Sequence, residues 1–214
     1  DDLAVIDPGP EDDSHREAIL SAAGRGRISH ILVTHAHRDH SALAARLSGD
    51  TGAPVCGFGP ADAGRSPQMA LLAQAGGIEG GEGVDTGFAP DVTLADRDTV
   101  AGPDWRIEAL HTPGHMGNHL CFALGDRLFS GDLVMGWASS LISPPDGDVT
   151  AFLASLDRLS RRPWRAFLPG HGAVVDTLAA RLAALADHRR ARHAAIVAAL
   201  SDGPATAATL AARV

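Results

Sequence analysis

Cysteine, lysine and tyrosine are scarce or absent in this sequence. Its 214 residues include two cysteines, no tyrosine and no lysine, so that all 18 basic residues are arginine. Two cysteines far apart in the chain exclude the disulfide-stapled folds of small secreted proteins, and their apolar surroundings favour free buried thiols. We therefore expect a reducing, cytoplasmic compartment. The absence of lysine reflects a composition bias and indicates nothing about mechanism.

Long apolar runs are also missing. No stretch approaches the roughly 18 apolar residues that a membrane-spanning helix requires, and the first residues do not show a positively charged region followed by a hydrophobic segment. The sequence thus predicts a soluble protein without a membrane partner. Acidic residues outnumber basic ones, and the resulting net charge of −8 argues against a general binder of nucleic acid.

The chain length and the 45% of hydrophobic residues predict one main domain with a packed core. Residues 57–85 are rich in glycine and predict a long surface excursion with one helical turn at 68–74. The first apolar run starts without a lead-in, which suggests that a pairing strand precedes it. Apolar spacing predicts the remaining elements, which are strands at 3–6, 31–33, 92–94, 105–110, 119–124, 128–129 and 166–168, and helices at 14–23, 150–159 and 176–200.

Histidine and aspartate are abundant and clustered. The chain has 11 histidines, and the seven residues from Thr34 to His40 form the pattern T-H-x-H-x-D-H. Composition alone predicts roughly 0.003 occurrences of H-x-H-x-D-H in a chain of this kind. Imidazole and carboxylate groups are the ligands of zinc, iron and manganese, so the run predicts a metal site.

Three further segments place a residue of ligand type beside glycine at the end of a predicted strand. They contain His115 in T-P-G-H, Asp132 in F-S-G-D and His171 in P-G-H-G. Glycine permits the sharp backbone turns that bring side chains from separate strand ends to one point. We therefore expect these side chains to join the histidine run.

The spacing within the run favours two adjacent metal centres. His35 and His37 are two residues apart and share one side of an extended chain, whereas Asp39 and His40 reach a second centre once a helix begins. His115 then completes the first centre and His171 the second, with Asp132 bridging them. The expected cofactors are two divalent metal ions, zinc first, with iron or manganese as alternatives. The predicted metal ligands are His35, His37, Asp39, His40, His115, Asp132 and His171.

In the order and spacing of these motifs, the sequence resembles the metallo-β-lactamase-fold hydrolases. The resemblance covers nearly the whole chain, and the segments around His115, Asp132 and His171 look closest to the glyoxalase II-like and beta-lactamase-like protein 2 branches. It implies an α/β (α+β) fold, the αβ/βα four-layer sandwich, with the metals at one edge. It also implies that Asp7 supports the ligands without binding metal.

At two positions the sequence differs from particular members of the superfamily, and each difference disfavours one activity. Asp132 stands where the best-known penicillin-degrading zinc enzymes have cysteine, which disfavours antibiotic hydrolysis. His37 stands where di-iron flavoproteins carry glutamate, which disfavours redox chemistry at two irons. Persulfide dioxygenases share much of the motif while binding a single iron, so the ligands alone leave that activity open.

The leading functional hypothesis is a dinuclear zinc hydrolase that uses a metal-bridging hydroxide to attack an ester or thioester. Asp39, Asp132 and His171 are its expected catalytic residues, and a small molecule is the expected substrate. The alternatives are a phosphodiesterase or endoribonuclease of the same fold, with RNA as partner, and a mononuclear iron persulfide dioxygenase. No motif of nucleophilic serine hydrolases is present. The oligomeric state is left open.

Three more residues are candidates for roles next to the metals or in the substrate pocket. Asp7 is interpreted as an anchor of the ligands or as the acceptor of a Pro-Gly turn. His119 lines the pocket or is a hydrogen-bonded histidine at a strand end. Trp137 walls the pocket or closes a loop onto the core.

The predicted domains are a hydrolase domain at 1–175 and a helical extension at 176–214. The extension is similar to the first part of a winged-helix module that has been cut short. Arg189, Arg190 and Arg192 form a basic patch within it, which would either steer a phosphate-bearing substrate or be a solvated helix face.

Overall fold

The computed structural model describes residues 1–78, 80–81, 83–201 and 203–214. Two sheets form its centre. The first has the strand order β1-β2-β3-β4, and all of its strand pairs are parallel. Its strands are β1 (Asp2–Ile6), β2 (Arg27–Leu32), β3 (Val55–Gly57) and β4 (Val92–Thr93), and the helices among and after them are α1 (Asp13–Ala23), α2 (Arg38–Ser41), α3 (Ala44–Thr51) and α4 (Pro67–Ala75).

The second sheet has the strand order β5-β6-β7-β8-β9. Its strand pairs are antiparallel except for β8 and β9, which are parallel and are connected through α5. The remaining elements are β5 (Thr99–Ala101), β6 (Arg106–His111), β7 (Leu120–Leu124), β8 (Arg127–Gly131), α5 (Val149–Ser160), β9 (Ala166–Pro169), α6 (Leu178–Leu200) and α7 (Ala207–Arg213).

The structure has four layers, two sheets with helices on both outer sides, and a buried hydrophobic cluster fills each of the three spaces between them. Ile31, Leu43 and Leu47 belong to the cluster between the first sheet and its helices. Leu32 and Phe122 belong to the cluster between the two sheets. A third cluster lies between the second sheet and the helices α5 and α6. The α/β/β/α sandwich that was expected from the sequence is confirmed.

Helix α5 shows how the sequence specifies its position. The side chain of Asp148 accepts hydrogen bonds from the backbone N–H groups of Thr150 and Ala151, which caps the first turn. Phe152, Leu156 and Leu159 then follow at helical spacing and are buried on the side that faces the second sheet. The cap and the apolar stripe therefore fix where this helix begins and which face it buries.

Helix α6 packs against the sandwich and shares its core. Its first half contributes Leu182, Leu185 and Ala186 to the same buried cluster as α5. The boundary expected at 175/176 stays a prediction, as does the comparison with a winged helix. Among the residues that the structure describes, no helix is long and apolar enough to cross a membrane.

The chain direction gathers several strand ends at one edge. Strands β1 and β2 run parallel. Strands β6, β8 and β9 share one direction, because β6 and β8 are both antiparallel to β7 and β9 is parallel to β8. The loops after β2, β6, β8 and β9 carry the predicted ligands, so the topology brings them to a common place.

The two thiols are expected to be chemically inert in the folded protein. Burial raises the pKa of Cys56 to about 11 and that of Cys121 to about 12. Because the thiolate is the reactive form, neither should react with a thiol reagent such as Ellman's reagent at mildly alkaline pH. Both should react after unfolding in guanidinium chloride. A thiol in the folded protein that reacts as fast as free cysteine would contradict this expectation.

Candidate metal centre

The first group of ligand atoms comes from three histidines. The Nδ1 atom of His37 lies 2.9 Å from the Nε2 atom of His35 and 2.9 Å from the Nε2 atom of His115. His35 follows strand β2, His37 precedes α2, and His115 lies in the loop after β6. Three imidazole nitrogens thus converge on one point, in an arrangement that could hold a metal ion.

The second group lies beside the first and combines Asp39, His40 and His171. The Nε2 atom of His171 is 3.1 Å from Oδ2 of Asp39 and 3.3 Å from Nε2 of His40. His40 is buried, whereas the side chains of Asp39 and His171 are 53% and 41% exposed. The ligand atoms of this group lie within 4.8 Å of one another, so they could hold a metal ion, and the exposed side of the group gives access from the solvent.

Asp132 lies between the two groups. Its Oδ1 atom is 3.4 Å from Nε2 of His40, and its Oδ2 atom is 3.9 Å from Nε2 of His115 and 3.5 Å from Nε2 of His171. Among the residues that the structure describes, none donates a hydrogen bond to the buried Oδ1 atom. A buried carboxylate oxygen without a donor is costly, and a cation between Asp132 and the histidines would satisfy it.

Hydrogen bonds at the far side of the rings fix which nitrogen is free to bind metal. Thr34 donates its hydroxyl proton to Asp7, so its oxygen accepts from Nδ1–H of His35. Nδ1–H of His40 donates to Asp7, and Nδ1–H of His115 donates to the backbone oxygen of Leu141. In its neutral form, each of these rings therefore directs an Nε2 lone pair at the centre.

The donor set fits divalent cations of the zinc type. With Nδ1 protonated, the Nε2 atoms of His35 and His115 both present lone pairs to Nδ1 of His37, which can donate a proton to only one of them. A cation would satisfy all three nitrogens at once. Nitrogen and carboxylate oxygen are the ligands that zinc and iron accept, and three or four of them at each centre would leave a position for water.

Burial keeps the first three histidines neutral, which is the form that binds metal. It lowers the pKa of His35 well below the usual range, and it lowers the pKa of His37 to about 4. The pKa of His115 is also lowered by burial. These shifts remove the competition between protons and metal at neutral pH.

Asp132 and His40 behave differently. Burial opposes the charged form of each, but the attraction between the Asp132 carboxylate and the His40 imidazolium outweighs it, together with the hydrogen bond from His40 to Asp7. The pKa of Asp132 falls to about 2, and that of His40 rises to about 10. The carboxylate is therefore ionised at neutral pH and supplies negative charge to the centre.

The three residues that were expected next to the metals or in the substrate pocket have different environments in the structure. Asp7 accepts hydrogen bonds from Thr34 and His40, in agreement with an anchor. His119 is fully buried and accepts a hydrogen bond from the backbone N–H of Asp132, so it does not line the pocket. Trp137 is 72% exposed and lies against Gly172, next to His171.

Sequence reasoning did not identify two polar residues that support the ligands. Thr34 links Asp7 to His35 through its hydroxyl group. Ser140 is fully buried and donates to the backbone oxygens of Asp132 and Leu133. The position of Thr34 directly before the histidine run was an available signal, whereas Ser140 had none.

The three arginines of the predicted basic patch have different partners. Arg189 donates to the backbone oxygen of Ser140 and is partly buried. Arg190 pairs with Asp187, and Arg192 donates to the backbone oxygen of Val214. The three side chains thus have three different partners.

Comparison with known sequences gives two kinds of match. Residues 1–171 match the family described as the Metallo-beta-lactamase superfamily. Among curated proteins, an atrochrysone carboxyl ACP thioesterase from Passalora fulva is 30% identical over 101 residues, which cover 45% of this chain and 29% of that protein. The chain spans about half or less of the length of such curated relatives.

Solved structures share the fold over most of the chain. A metallo-beta-lactamase family protein from Thermus thermophilus has a TM-score of 0.74 and 27% identity, covering 96% of this chain and 76% of that one. The di-iron-bound form of the protein TTHA1623 has a TM-score of 0.61 and 31% identity, covering 83% of this chain and 86% of that one. Both matches agree with the four-layer sandwich described above.

Proposed function

Since this chain belongs to the metallo-beta-lactamase superfamily, we propose that it is a thioester hydrolase with two metal ions at the centre described above. The observation that carries the proposal is the pair of ligand groups with Asp132 between them. A structural metal site is closed by four protein ligands, whereas these groups share one carboxylate and open to solvent at Asp39 and His171.

Two bound divalent ions would supply a water molecule of lowered pKa as nucleophile and would stabilise the developing oxyanion. Asp132 holds the two groups of ligands at a fixed separation through its two oxygen atoms. Through the carboxylate oxygen that does not bind metal, Asp39 would accept a hydrogen bond from the attacking water and so orient it. His171, which is half exposed beside Asp39, would face the leaving group. Burial of His35 and His40 excludes other water molecules from the inner side of the centre.

The thioester class is supported by the relatives and by the charge of the chain. Several curated relatives are named as thioesterases of an acyl carrier protein. A net charge of −8 repels a nucleic-acid backbone, and the arginines of α6 are engaged with partners of their own. We therefore favour thioester cleavage over cleavage of a phosphodiester.

Zinc is the metal that we propose, with iron as the alternative. The histidine and aspartate ligands suit both metals. The related protein TTHA1623 has been solved in a di-iron-bound form, which supports a paired centre and keeps iron as a candidate. Elemental analysis of the protein expressed in medium with both metals would separate the two.

The purified protein is expected to contain two zinc ions per chain and to cleave lactoylglutathione. Removal of the metals with a chelator should lower turnover by roughly a thousandfold or more, because several kcal/mol of transition-state stabilisation are lost. Added zinc should restore turnover. Single-stranded RNA, assayed in parallel, should remain intact.

Two results would overturn the proposal. One iron per chain together with oxygen consumption on glutathione persulfide would indicate a dioxygenase. Cleavage of RNA in the absence of thioester cleavage would indicate a phosphodiesterase. A chelated sample in which circular dichroism shows an intact fold would ensure that the loss of turnover does not come from unfolding.

A further inference from the structure

The chain between Asp132 and the start of α5 contains a segment without regular secondary structure that borders the metal centre. We call residues 133–141 the Trp137 loop. It begins directly after Asp132, and at its other end the backbone oxygen of Leu141 accepts the hydrogen bond from His115. Trp137 and Leu141 in this loop are largely exposed. The conformation of the loop thus bears on the orientation of two predicted ligands.

Arg181 of helix α6 contacts the middle of the Trp137 loop with two donors. Its Nε atom donates to the backbone oxygen of Met135 at 2.6 Å, and its Nη2 atom donates to the backbone oxygen of Ala138 at 2.5 Å. These two carbonyl groups bracket Gly136 and Trp137. A planar guanidinium can satisfy two acceptors in this way, which a lysine ammonium at a single point cannot do equally well.

Arg189, two helical turns further along α6, contacts the end of the loop. Its Nη2 atom donates to the backbone oxygen of Ser140. The hydroxyl group of Ser140 in turn donates to the backbone oxygens of Asp132 and Leu133. The guanidinium lies 5.7 Å from the ring centre of the buried Phe152. Hydrogen bonds therefore connect α6 through Ser140 to the backbone of the bridging aspartate.

The helix is a firm support for both arginines. Arg189 lies eight positions after Arg181, which corresponds to about 12 Å along the helix axis. Leu182 and Leu185 anchor the same stretch of α6 in the main core. Because the anchor residues are fully packed, the two guanidinium groups have a fixed spacing against which the loop is held.

We propose that Arg181 and Arg189 are positioning residues of the metal centre, which hold the Trp137 loop so that Asp132 and Trp137 face the substrate. Helix α6 lies beyond residues 1–171, the part of the chain that matches the superfamily. The proposal rests on the proposed metal centre, but it makes a separate statement about the order of the loop.

The experiment compares full-length Arg181→Met and Arg189→Met variants with the unchanged protein. Methionine keeps an apolar stem and removes all donors. Chymotrypsin cleavage at Trp137 and Leu141, mapped by mass spectrometry, should become about tenfold faster, since each loop carbonyl loses a charged donor. This measurement needs neither substrate nor turnover, so it stays informative if the thioester assay fails.

A spectroscopic measurement distinguishes positioning from a general loss of stability. The visible absorption bands of the cobalt(II)-substituted protein report ligand geometry. They should change in both variants, while the melting temperature falls only slightly. Arg181→Lys keeps the charge but places all donors on a single nitrogen, and it should give an intermediate cleavage rate.

Arg190→Met is the matched control, because Arg190 is exposed and pairs only with Asp187 among the contacts described. It should leave the cleavage rate and the cobalt spectrum unchanged. Equal behaviour of Arg181→Met, Arg189→Met and Arg190→Met would overturn the proposal. If the arginine variants fail to fold, Ser140→Ala tests the same connection, and an unchanged cobalt spectrum in that variant would overturn it.

Discussion

Replacement of Asp132 by asparagine is expected to abolish most of the activity and to remove one of the two metal ions. Its carboxylate faces His40 through Oδ1 and faces His115 and His171 through Oδ2. Asparagine would direct an NH₂ donor at a cation and would delete one negative charge. We expect kcat/KM for lactoylglutathione to fall by roughly a thousandfold or more, because a shared ligand and its charge are both lost. Elemental analysis should show close to one metal ion per chain.

Asp126→Asn is the control for this variant. Asp126 lies in the tight turn between β7 and β8, and its side chain is exposed. It should keep two metal ions and full turnover. An Asp132→Asn protein that retains both ions and the unchanged rate would refute the bridging assignment.

The architecture was predictable because most strands are apolar runs that end at recognisable turn residues or ligand-type residues. The apolar runs that form β2 and β8 lead directly into Thr34 and Asp132, and apolar residues at helical spacing identify α5 and α6. Strands β3 and β5 were not predicted. Each has three residues, too few for an alternating pattern to stand out from a loop. The helix α4 is also longer than the single turn that was expected within 57–85.

The ligands were predictable because they form a recognisable sequence pattern, and they come together because the strands before them end at the same edge of the fold. The run from His35 to His40 is dense in ligand residues, and the remaining ligands each follow a strand that points to the same edge. His119 shows the limit of such reasoning. A histidine four residues after His115 is equally compatible with a pocket wall and with a buried hydrogen bond, and only its burial decides for the second.

The hydrogen bonds that hold the ligands in place were not predictable. They involve backbone carbonyl and hydroxyl groups, which have no sequence signature. Ser140 and Arg189 are 49 residues apart and meet through a single backbone oxygen. The predicted patch of arginines also assumed that neighbours in sequence share a surface. Successive residues of a helix point about 100° apart, so Arg189 turns toward the core while Arg190 stays outside.

Replacement of Asp7 is expected to have the second large effect. Asp7 orients predicted metal ligands through hydrogen bonds without binding metal itself. Its Oδ2 atom accepts hydrogen bonds from Nδ1–H of His40 at 2.8 Å and from the hydroxyl group of Thr34 at 2.8 Å. Its Oδ1 atom accepts from the backbone N–H of Thr34 at 2.7 Å. One carboxylate therefore fixes His40 directly and His35 through Thr34, which means that it acts on both groups of ligands.

Asp7→Asn is the cleanest variant with which to test this role. Asp7 has a φ of 50°, a left-handed backbone conformation that asparagine adopts more readily than most other residues, so the backbone should be preserved. The amide can still accept from the N–H of Thr34, but its NH₂ group would face two donors. Relief of that conflict requires His40 to move its proton to Nε2, the atom that is directed at the metal.

We expect Asp7→Asn to weaken metal binding by about 10- to 100-fold, the range typical of residues that orient metal-bound histidines. Competition with a chromogenic zinc chelator measures this affinity directly. Asp12→Asn is the matched control, because Asp12 caps α1 and asparagine caps helices as well as aspartate does. Since both variants lose one negative charge from the same segment, a difference between them isolates the contacts of Asp7. Unchanged zinc affinity in Asp7→Asn would show that the hydrogen bonds to Thr34 and His40 have no part in ligand orientation.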